Sequence, residues 1–84
     1  MYFVYIVQCA DDTLYTGIAT ELERRIKEHN ESDKGAKYTR IRRPVHLVYS
    51  ENYPDRSSAS KREYEIKKKM SRAKKLEMIK GFEA

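Results

Sequence analysis

The chain carries two tyrosines ten residues apart, Tyr5 in V-Y-I and Tyr15 in Y-T-G. Arg25 and His29 follow them, spaced by one helical turn. Phenol and imidazole groups can transfer protons, and a guanidinium can hold two oxygens of one phosphate. If the fold brings these four side chains together, their types indicate a nuclease.

Two predicted strands must position the tyrosines. Residues 2–9 are rich in β-branched and aromatic types, and apolar residues occur at both even-numbered and odd-numbered positions. This pattern is typical of a strand covered on both faces. Residues 13–19 read as a second strand, with two aspartates in the turn between them. Because side chains alternate along a strand, Tyr5 and Tyr15 share a face only if odd residues pair with odd residues. We therefore predict a hairpin loop with an odd number of residues.

A helix is predicted next, over about residues 21–30, with Thr20 as its N-cap. At roughly 100° per residue, Arg25 and His29 fall within one arc together with the two aliphatic residues of this helix. A charged arginine is rarely placed on such a stripe unless something pairs with it. This face of the helix is expected to meet the hairpin and its tyrosines.

Three further elements are predicted in the rest of the chain. A short third strand spans residues 44–50, and Pro44 can start it but not occupy its middle. A long helix follows, and a last short helix starts at Ser71 and ends at Gly81. The candidate caps of the long helix are Ser57, Ser58 and Ser60. The residues that the last helix is expected to bury are Ala73, Leu76 and Ile79.

The inward stripe of the long helix holds one acid, Glu63, among the apolar residues Ala59, Ile66 and Met70. Glu65 points the other way. A carboxylate on a core-facing stripe needs a cation, which is either a basic side chain or a metal ion.

Length and cysteine content limit the class of protein. Residues 1–84 are enough for one domain with a modest core. No apolar run is long enough to span a bilayer, and the N-terminus lacks the features of a signal peptide. The single cysteine, Cys9, cannot form an internal disulfide, so we expect a cytoplasmic protein in which Cys9 is a small buried strand residue.

Positive charge is concentrated in two regions of a chain whose net charge is +5. Residues 56–84 contain ten Lys or Arg against four acids, and segment 34–43 contains five basic residues and no acid. Such a loop suits phosphate contacts, with an aromatic side chain available to stack on a base. The candidate nucleic-acid-binding residues are Lys34, Lys37, Tyr38, Arg40, Arg42 and Arg43 in this loop and Lys67 and Lys68 on the long helix. The alternative is a solvated loop and a lysine-rich helix face.

The order V-Y-I, Y-T-G, then Arg and His four apart, then a helical Glu resembles the GIY-YIG endonuclease superfamily, in particular its small standalone members. The resemblance runs from Tyr2 to about Ile79 and includes E-R-R-I-K-E-H, G-A-K-Y-T-R and K-R-E-Y-E-I-K-K. It implies an α/β (α+β) fold with a three-stranded antiparallel sheet flanked by helices. It also implies DNA binding and hydrolysis of a phosphodiester with one divalent metal ion, Mg²⁺ or Mn²⁺.

The resemblance further implies a role for five side chains. Tyr5 and Tyr15 match the paired tyrosines that help to position and deprotonate the attacking water. Arg25 matches the arginine that contacts the scissile phosphate, and His29 matches a position near the nucleophile. Glu63 matches the metal-binding glutamate. The sequence leaves open which of Tyr5, Tyr15 and His29 takes the proton.

The same residues also have structural interpretations. The tyrosines can be ordinary strand aromatics at the sheet rim, and His29 can simply stabilise a helix C-terminus. Arg25 can form a salt bridge with Glu63 and do nothing else. His46, in the third strand, is interpreted as structural or surface-exposed.

Departures from the family pattern predict a simpler or weaker site. The first motif has Val4 where many members have Gly, and Ile18 stands where some members place a lysine. Lys74 and Lys75 lie where several members have an asparagine.

The sequence therefore favours a nucleic-acid-binding domain that hydrolyses DNA with one Mg²⁺. No second domain is evident to read a sequence, so cutting is expected to depend on nucleic-acid structure or on a partner protein. The first alternative is a non-catalytic module that binds DNA or RNA, for example in repair complexes. The second is a protein-interaction adaptor whose basic helix contacts an acidic partner.

Overall fold

The computed structural model describes residues 1–83, and the side chains of residues 1–82. The elements are β1 (Tyr2–Gln8), β2 (Leu14–Ala19), α1 (Leu22–Glu31), α2 (Lys37–Arg40), β3 (His46–Tyr53), α3 (Arg56–Tyr64) and α4 (Arg72–Glu83). The three strands form one antiparallel sheet, as predicted for this α+β fold, and their order in it is β2-β1-β3. A π-helical segment, Glu65–Lys69, lies between α3 and α4.

The central strand β1 is covered on both faces, as its composition predicts. Its even residues Val4 and Ile6 are fully buried in a cluster that also contains residues from β3, α3 and the π-helical segment. Its odd residues Tyr5 and Val7 belong to a second cluster, against which the aliphatic side chains of α1 pack. The two cores share one strand, and the odd face is the one that carries the candidate chemistry.

The hairpin register confirms the predicted odd loop. Tyr5 pairs with Gly17 and Val7 pairs with Tyr15, so every partner pair has matching parity. The backbone N–H of Cys9 donates to the carbonyl of Thr13 at 2.8 Å, which leaves a loop of three residues between them. Asp12 adopts a φ of 67° in this loop, a left-handed conformation that aspartate tolerates better than most residues. The two tyrosines therefore lie on the same face of the sheet.

Helix α1 forms where it is predicted, but its cap is different. Glu21, not Thr20, occupies the N-cap position and makes no side-chain cap hydrogen bond. The Glu21 carboxylate instead accepts from Arg24 at 3.1 Å. At the other end, Arg43 donates to the carbonyls of His29 and Ser32, both at 2.6 Å. A side chain from outside the helix thus satisfies carbonyls that the end of a helix leaves free.

The third strand is longer than predicted and continues to Tyr53. The Glu51 carboxylate accepts hydrogen bonds from the hydroxyls of Tyr49 and Tyr53 and from Arg62 of α3, which extends the ordered strand beyond residue 50. The three serine caps predicted for the next helix are wrong. Asp55 is the N-cap of α3, and its carboxylate accepts from the backbone N–H of Ser58 at 2.8 Å.

The C-terminal part departs most from prediction. The predicted long helix changes to π geometry at Glu65, and α4 continues through Gly81 instead of ending there. Ile79 packs against the core as expected, but Ala73 and Leu76 are exposed. The reason is the orientation of α4, which packs against β3 and brings Phe82 onto the ring of Tyr49.

No helix among the described residues is long and apolar enough to cross a membrane. Cys9 is a buried free thiol just after β1, in agreement with the packing role predicted for it. His46 is exposed at the start of β3, which agrees with its structural interpretation.

Candidate active site

A glycine on β2 makes room for the first tyrosine. Gly17 lies opposite Tyr5 in the hairpin, and the Tyr5 side chain is only 1% exposed. A Cβ atom added to Gly17 would lie 2.5 Å from the Tyr5 hydroxyl oxygen and 2.7 Å from the ring carbon that carries it. The absence of a side chain at Gly17 therefore lets the phenol cross the neighbouring strand and reach α1.

The phenol of Tyr5 begins a chain of buried hydrogen bonds. Its hydroxyl lies 2.6 Å from His29 Nε2, and His29 Nδ1 lies 2.9 Å from the Thr39 hydroxyl. That hydroxyl donates to the carbonyl of Ala36 at 2.9 Å. The backbone N–H of Ala36 also donates to His29 Nδ1 at 3.3 Å. His29 and Thr39 are both fully buried, so these bonds hold the imidazole ring and the Tyr5 hydroxyl in place.

Burial keeps both Tyr5 and His29 neutral. Desolvation raises the pKa of Tyr5 to about 12, although the hydrogen bond and charge of Arg25 act in the opposite direction. Desolvation, with a smaller effect from the positive charge of Arg25, lowers the pKa of His29 to about 4. A phenol that holds its proton so tightly does not pass it to so weak a base in the resting site. Both ring nitrogens of His29 are bonded within the protein, so the Tyr5 hydroxyl is the group of the pair that can still bond a water molecule.

The shifted pKa of His29 predicts a pH dependence of stability. The unfolded chain takes up the proton near pH 6.5 and the folded chain near pH 4, so the stabilisation is complete above pH 6.5 and is lost as the pH falls toward 4. We expect the free energy of unfolding by urea to fall by about 2 kcal/mol between pH 7.5 and pH 5. The exposed His46 provides the control, because the His46→Gln variant should keep this dependence. An NMR titration that placed the His29 pKa near 6.5 would contradict the prediction.

Arg25 lies at the edge of this buried pair. Its side chain is 27% exposed, and Nη1 donates to the Glu28 carboxylate at 3.0 Å and to the carbonyl of Lys34 at 2.7 Å. Arg25 also lines an open cleft of about 310 Å³ together with Arg24 and Arg56. The guanidinium is thus held in place by its own helix and the following loop, with donors left for a ligand.

The candidate site also contains the carboxylate of Glu63, from α3. This carboxylate is half-buried, its negative charge acts on Tyr5, and its oxygen Oε2 lies 3.4 Å from Lys67 Nζ. Arg25 pairs with Glu28, not with Glu63, so the interpretation of Arg25 and Glu63 as a simple mutual salt bridge is wrong. The site keeps an arginine and a carboxylate that do not neutralise each other.

Glu63 has the chemistry of a ligand for one hard cation. Its carboxylate is partly accessible and has a free oxygen, and Mg²⁺ commonly binds one or two protein carboxylates with water in its other positions. Across the described side chains, no three His, Cys, Asp or Glu residues are grouped so as to hold a metal ion. The residues present therefore fit an ion held by one protein carboxylate and water.

Tyr15 is more accessible than Tyr5 and connects the site to the basic segment 34–43. Its ring contacts the edge of His29 at a centroid distance of 5.4 Å and stacks on Tyr38 at 5.8 Å. The guanidinium of Arg42 lies 4.0 Å above the Tyr38 ring. A base that stacks on Tyr38 must therefore share or replace these contacts.

The basic segment is partly helical, where the sequence was interpreted as a loop, because α2 forms at its centre. Lys34, Lys37 and Arg40 are exposed along it. Arg42 and Arg43 are engaged inside the fold. Arg42 pairs with Asp11 at 3.0 Å, and Arg43 donates to the C-terminal carbonyls of α1. On the π-helical segment, Lys67 and Lys68 are exposed, and Lys67 reaches Tyr15 and Glu63.

Sequence reasoning missed three residues that build the site. Thr39 completes the hydrogen-bond chain of His29, and Gly17 makes room for Tyr5. Gly35 allows the segment before α2 to touch α1, since a Cβ there would lie 2.7 Å from the carbonyl oxygen of Glu28. The available signal was the pair of glycines in Y-T-G and G-A-K-Y-T-R, and the one threonine among the basic residues of segment 34–43.

Comparison with known proteins identifies the family of this chain. The sequence profile of the GIY-YIG catalytic domain matches residues 1–77. A UPF0213 protein of Desulfotalea psychrophila is 63% identical over 82 residues, which cover 98% of this chain and 74% of that protein. A UPF0213 protein of Staphylococcus aureus is 57% identical over 79 residues, which cover 94% of each.

Two solved structures have the same fold. The NMR structure of a UPF0213 protein from Bacillus halodurans has a TM-score of 0.59 at 46% identity and covers 95% of this chain and 84% of its own. The NMR structure of a protein from E. faecalis has a TM-score of 0.64 at 42% identity, with coverages of 98% and 85%. The matched profile, the identities and the shared sheet show that this chain belongs to the GIY-YIG family of nuclease-type domains.

Proposed function

We propose that this protein is a structure-dependent DNA endonuclease that hydrolyses a phosphodiester with one divalent metal ion, Mg²⁺ or Mn²⁺. One observation carries the proposal. Arg25 and Glu63, from two separate helices, act on the same buried phenol of Tyr5 without pairing with each other. Each of the two has its own ion-pair partner, Glu28 for Arg25 and Lys67 for Glu63, so neither needs the other for charge balance. They suit a substrate that carries a phosphate and a metal ion.

Arg25 holds the scissile phosphate in this proposal. A phosphodiester under attack gathers negative charge on its non-bridging oxygens, and a guanidinium can donate to two of them. Glu63 would hold the metal ion, which when bound would stabilise the negative charge that develops at the leaving oxygen. Glu28 and the Lys34 carbonyl fix the direction of the Arg25 side chain, so little entropy is lost when the phosphate binds.

Tyr5 orients the attacking water in this scheme, and the hydrogen bond between its hydroxyl and His29 Nε2 holds the phenol in place. The raised pKa of Tyr5 disfavours a phenolate there, and the lowered pKa of His29 makes its imidazole a weak base. Tyr15 is the partly exposed phenol of the pair, and the Lys67 ammonium lies 5.3 Å from its ring centre. Of the three side chains that the sequence left open, Tyr15 is therefore the one that we propose to face the attacking water.

The basic segment binds the backbone of the nucleic acid beside this site. Lys34, Lys37 and Arg40 are exposed, and none of them forms a salt bridge within the described residues. Each phosphate contact made by such a residue releases counterions, so affinity should fall steeply with salt. Recognition through the backbone reads shape and not sequence, which is why the proposed activity depends on nucleic-acid structure or on a partner protein.

One observation favours a second candidate function, a non-catalytic module that binds DNA or RNA. The raised pKa of Tyr5 and the lowered pKa of His29 leave the site with weak proton acceptors. A binding module keeps the basic segment and the fold, and its affinity should be unaffected by Glu63→Ala. A role as an adaptor in repair complexes is a variant of the same proposal. In either case a reducing cytoplasm is the proposed compartment for the free thiol of Cys9.

Metal-dependent cleavage tests the proposal directly. Purified protein should cut at least one of duplex, branched and single-stranded DNA when Mg²⁺ or Mn²⁺ is added, and a chelator should stop the reaction. The Tyr5→Phe and Arg25→Ala variants, purified identically, distinguish this activity from a contaminating nuclease. If no substrate is cut while salt-sensitive binding remains, the binding module is the correct function.

A further inference from the structure

The π-helical segment Glu65–Lys69 places a lysine inside the candidate site. Lys67 Nζ lies 3.4 Å from Glu63 Oε2 and 5.3 Å from the centre of the Tyr15 ring. Its side chain is 38% exposed, and that of Glu63 is 26% exposed. The next lysine, Lys68, is exposed and forms no salt bridge within the described residues. Single-turn π insertions in helices are frequent at functional sites.

We infer that the Lys67 ammonium is a resident counter-ion of Glu63 that a divalent metal ion must displace, and that the displaced ammonium then contacts a substrate phosphate beside Tyr15. The inference rests on the proposed role of Glu63 as the metal ligand. The inference adds that the Lys67 ammonium competes with the metal ion for Glu63 and that the same ammonium later binds the substrate.

Charge and geometry support the first step. An ammonium and a divalent ion repel each other, so they cannot both lie within contact distance of one carboxylate without a substantial penalty. A partly exposed ion pair is weak, typically below about 1 kcal/mol, so a metal ion can break it. The four-carbon stem of lysine lets the ammonium move by several ångströms while its backbone stays in place.

The surroundings of Lys67 support the second step. Its ammonium already lies near the ring of Tyr15, the aromatic residue that stacks on Tyr38 of the basic segment. A phosphate held between Arg25 and the metal ion would lie beside this ring. When the Glu63 carboxylate is neutralised by the metal, the phosphate becomes the nearest anion for the ammonium, so Lys67 strengthens substrate binding only after the metal has bound.

Binding of Mn²⁺ to the full chain, without DNA, tests the competition. The free ion can be followed by its electron paramagnetic resonance signal in titrations of wild type, Lys67→Met, Lys68→Met and Glu63→Gln. Lys67→Met and Lys68→Met each lose one positive charge, so their long-range electrostatic effects on metal binding should be the same. A difference between them therefore reports the local contact of Lys67 with Glu63. We expect Lys67→Met to bind Mn²⁺ about fivefold more tightly than Lys68→Met. This difference should narrow at high salt, and Glu63→Gln should lose the site.

Cleavage at saturating Mn²⁺ tests the second use of the cation. Lys67→Met should cut DNA about tenfold more slowly than Lys68→Met despite its tighter metal binding, and Lys67→Arg should recover much of the rate. A structural defect would weaken both functions and would not improve one of them. Equal Mn²⁺ affinities for Lys67→Met and Lys68→Met overturn the inference and leave the proposed nuclease intact. Mn²⁺ binding that is unaffected by Glu63→Gln overturns the metal role of Glu63, and with it both proposals.

Discussion

Arg25→Ala is expected to lower the rate of Mg²⁺-dependent cleavage by about a thousandfold. The guanidinium is the group of the site that can donate two hydrogen bonds to a phosphate while charge accumulates on it. Its loss removes an interaction that strengthens in the transition state, so the effect should appear mainly in kcat and much less in DNA affinity. Single-turnover cleavage with saturating enzyme measures this step directly.

The fold should survive the Arg25→Ala substitution. Arg25 is 27% exposed, and its partner Glu28 retains Arg24, whose Nε lies 3.6 Å from the same carboxylate. The matched control is Arg24→Ala, which removes the neighbouring arginine from the exposed side of α1. This control should keep cleavage within a few-fold of wild type. Cleavage by Arg25→Ala at the wild-type rate, with an unchanged circular dichroism spectrum, would refute the assignment of the phosphate-binding residue.

Glu63→Gln is expected to have an effect of similar size, again about a thousandfold on metal-dependent cleavage. The substitution keeps the volume and the polarity of the side chain but removes the charge that a hard cation requires. Affinity for DNA in the absence of metal should stay the same or rise slightly, because a negative charge is lost near a bound polyanion. Parallel measurements of DNA binding and cleavage separate these two effects.

Glu65→Gln is the control for this variant. Glu65 lies two residues further along, but its carboxylate turns away and pairs with Arg62. We expect wild-type cleavage from Glu65→Gln with the same loss of one negative charge. Equal cleavage rates for Glu63→Gln and Glu65→Gln would show that Glu63 is not the metal ligand. In that case, raising the Mg²⁺ concentration would change the cleavage rates of the two variants equally.

The part of the site that follows from short-range rules could be predicted. The parity of the strand residues decided which face Tyr5 and Tyr15 share, and the helical period of α1 placed Arg25 and His29 toward them. Both rules depend only on local geometry and on the requirement to bury apolar surface. The same reasoning correctly put Glu63 on the inward side of its helix.

The parts that depend on tertiary contacts were beyond such rules. The α4 helix continues through Gly81 because its docking against β3 outweighs the local preference of glycine to end a helix. The cap of α1 is a different kind of departure, because Glu21 takes the N-cap position predicted for Thr20 without a side-chain cap hydrogen bond, and no long-range contact explains it.

The role of His29 shows the same limit at the site itself. Its position on α1 was predicted, but its contact with Thr39 depends on the path of the chain between α1 and α2. That path requires Gly35 to touch the backbone of α1, which no periodic pattern encodes. The pKa shifts of Tyr5 and His29 follow from this packing, because both groups lose contact with water when the chain between α1 and α2 packs against α1.

Because β1 is the central strand and is buried on both faces, its even-numbered and odd-numbered residues should tolerate mutation differently. Val4 and Ile6 belong to a core cluster whose buried residues are all aliphatic, so exchanges that keep their volume should be accepted there. Tyr5, on the opposite face of the same strand, has a shape and a hydroxyl that no other residue reproduces. A library that randomises β1 should therefore return an alternating profile, with aliphatic diversity at Val4 and Ile6 and a near-invariant Tyr5 between them.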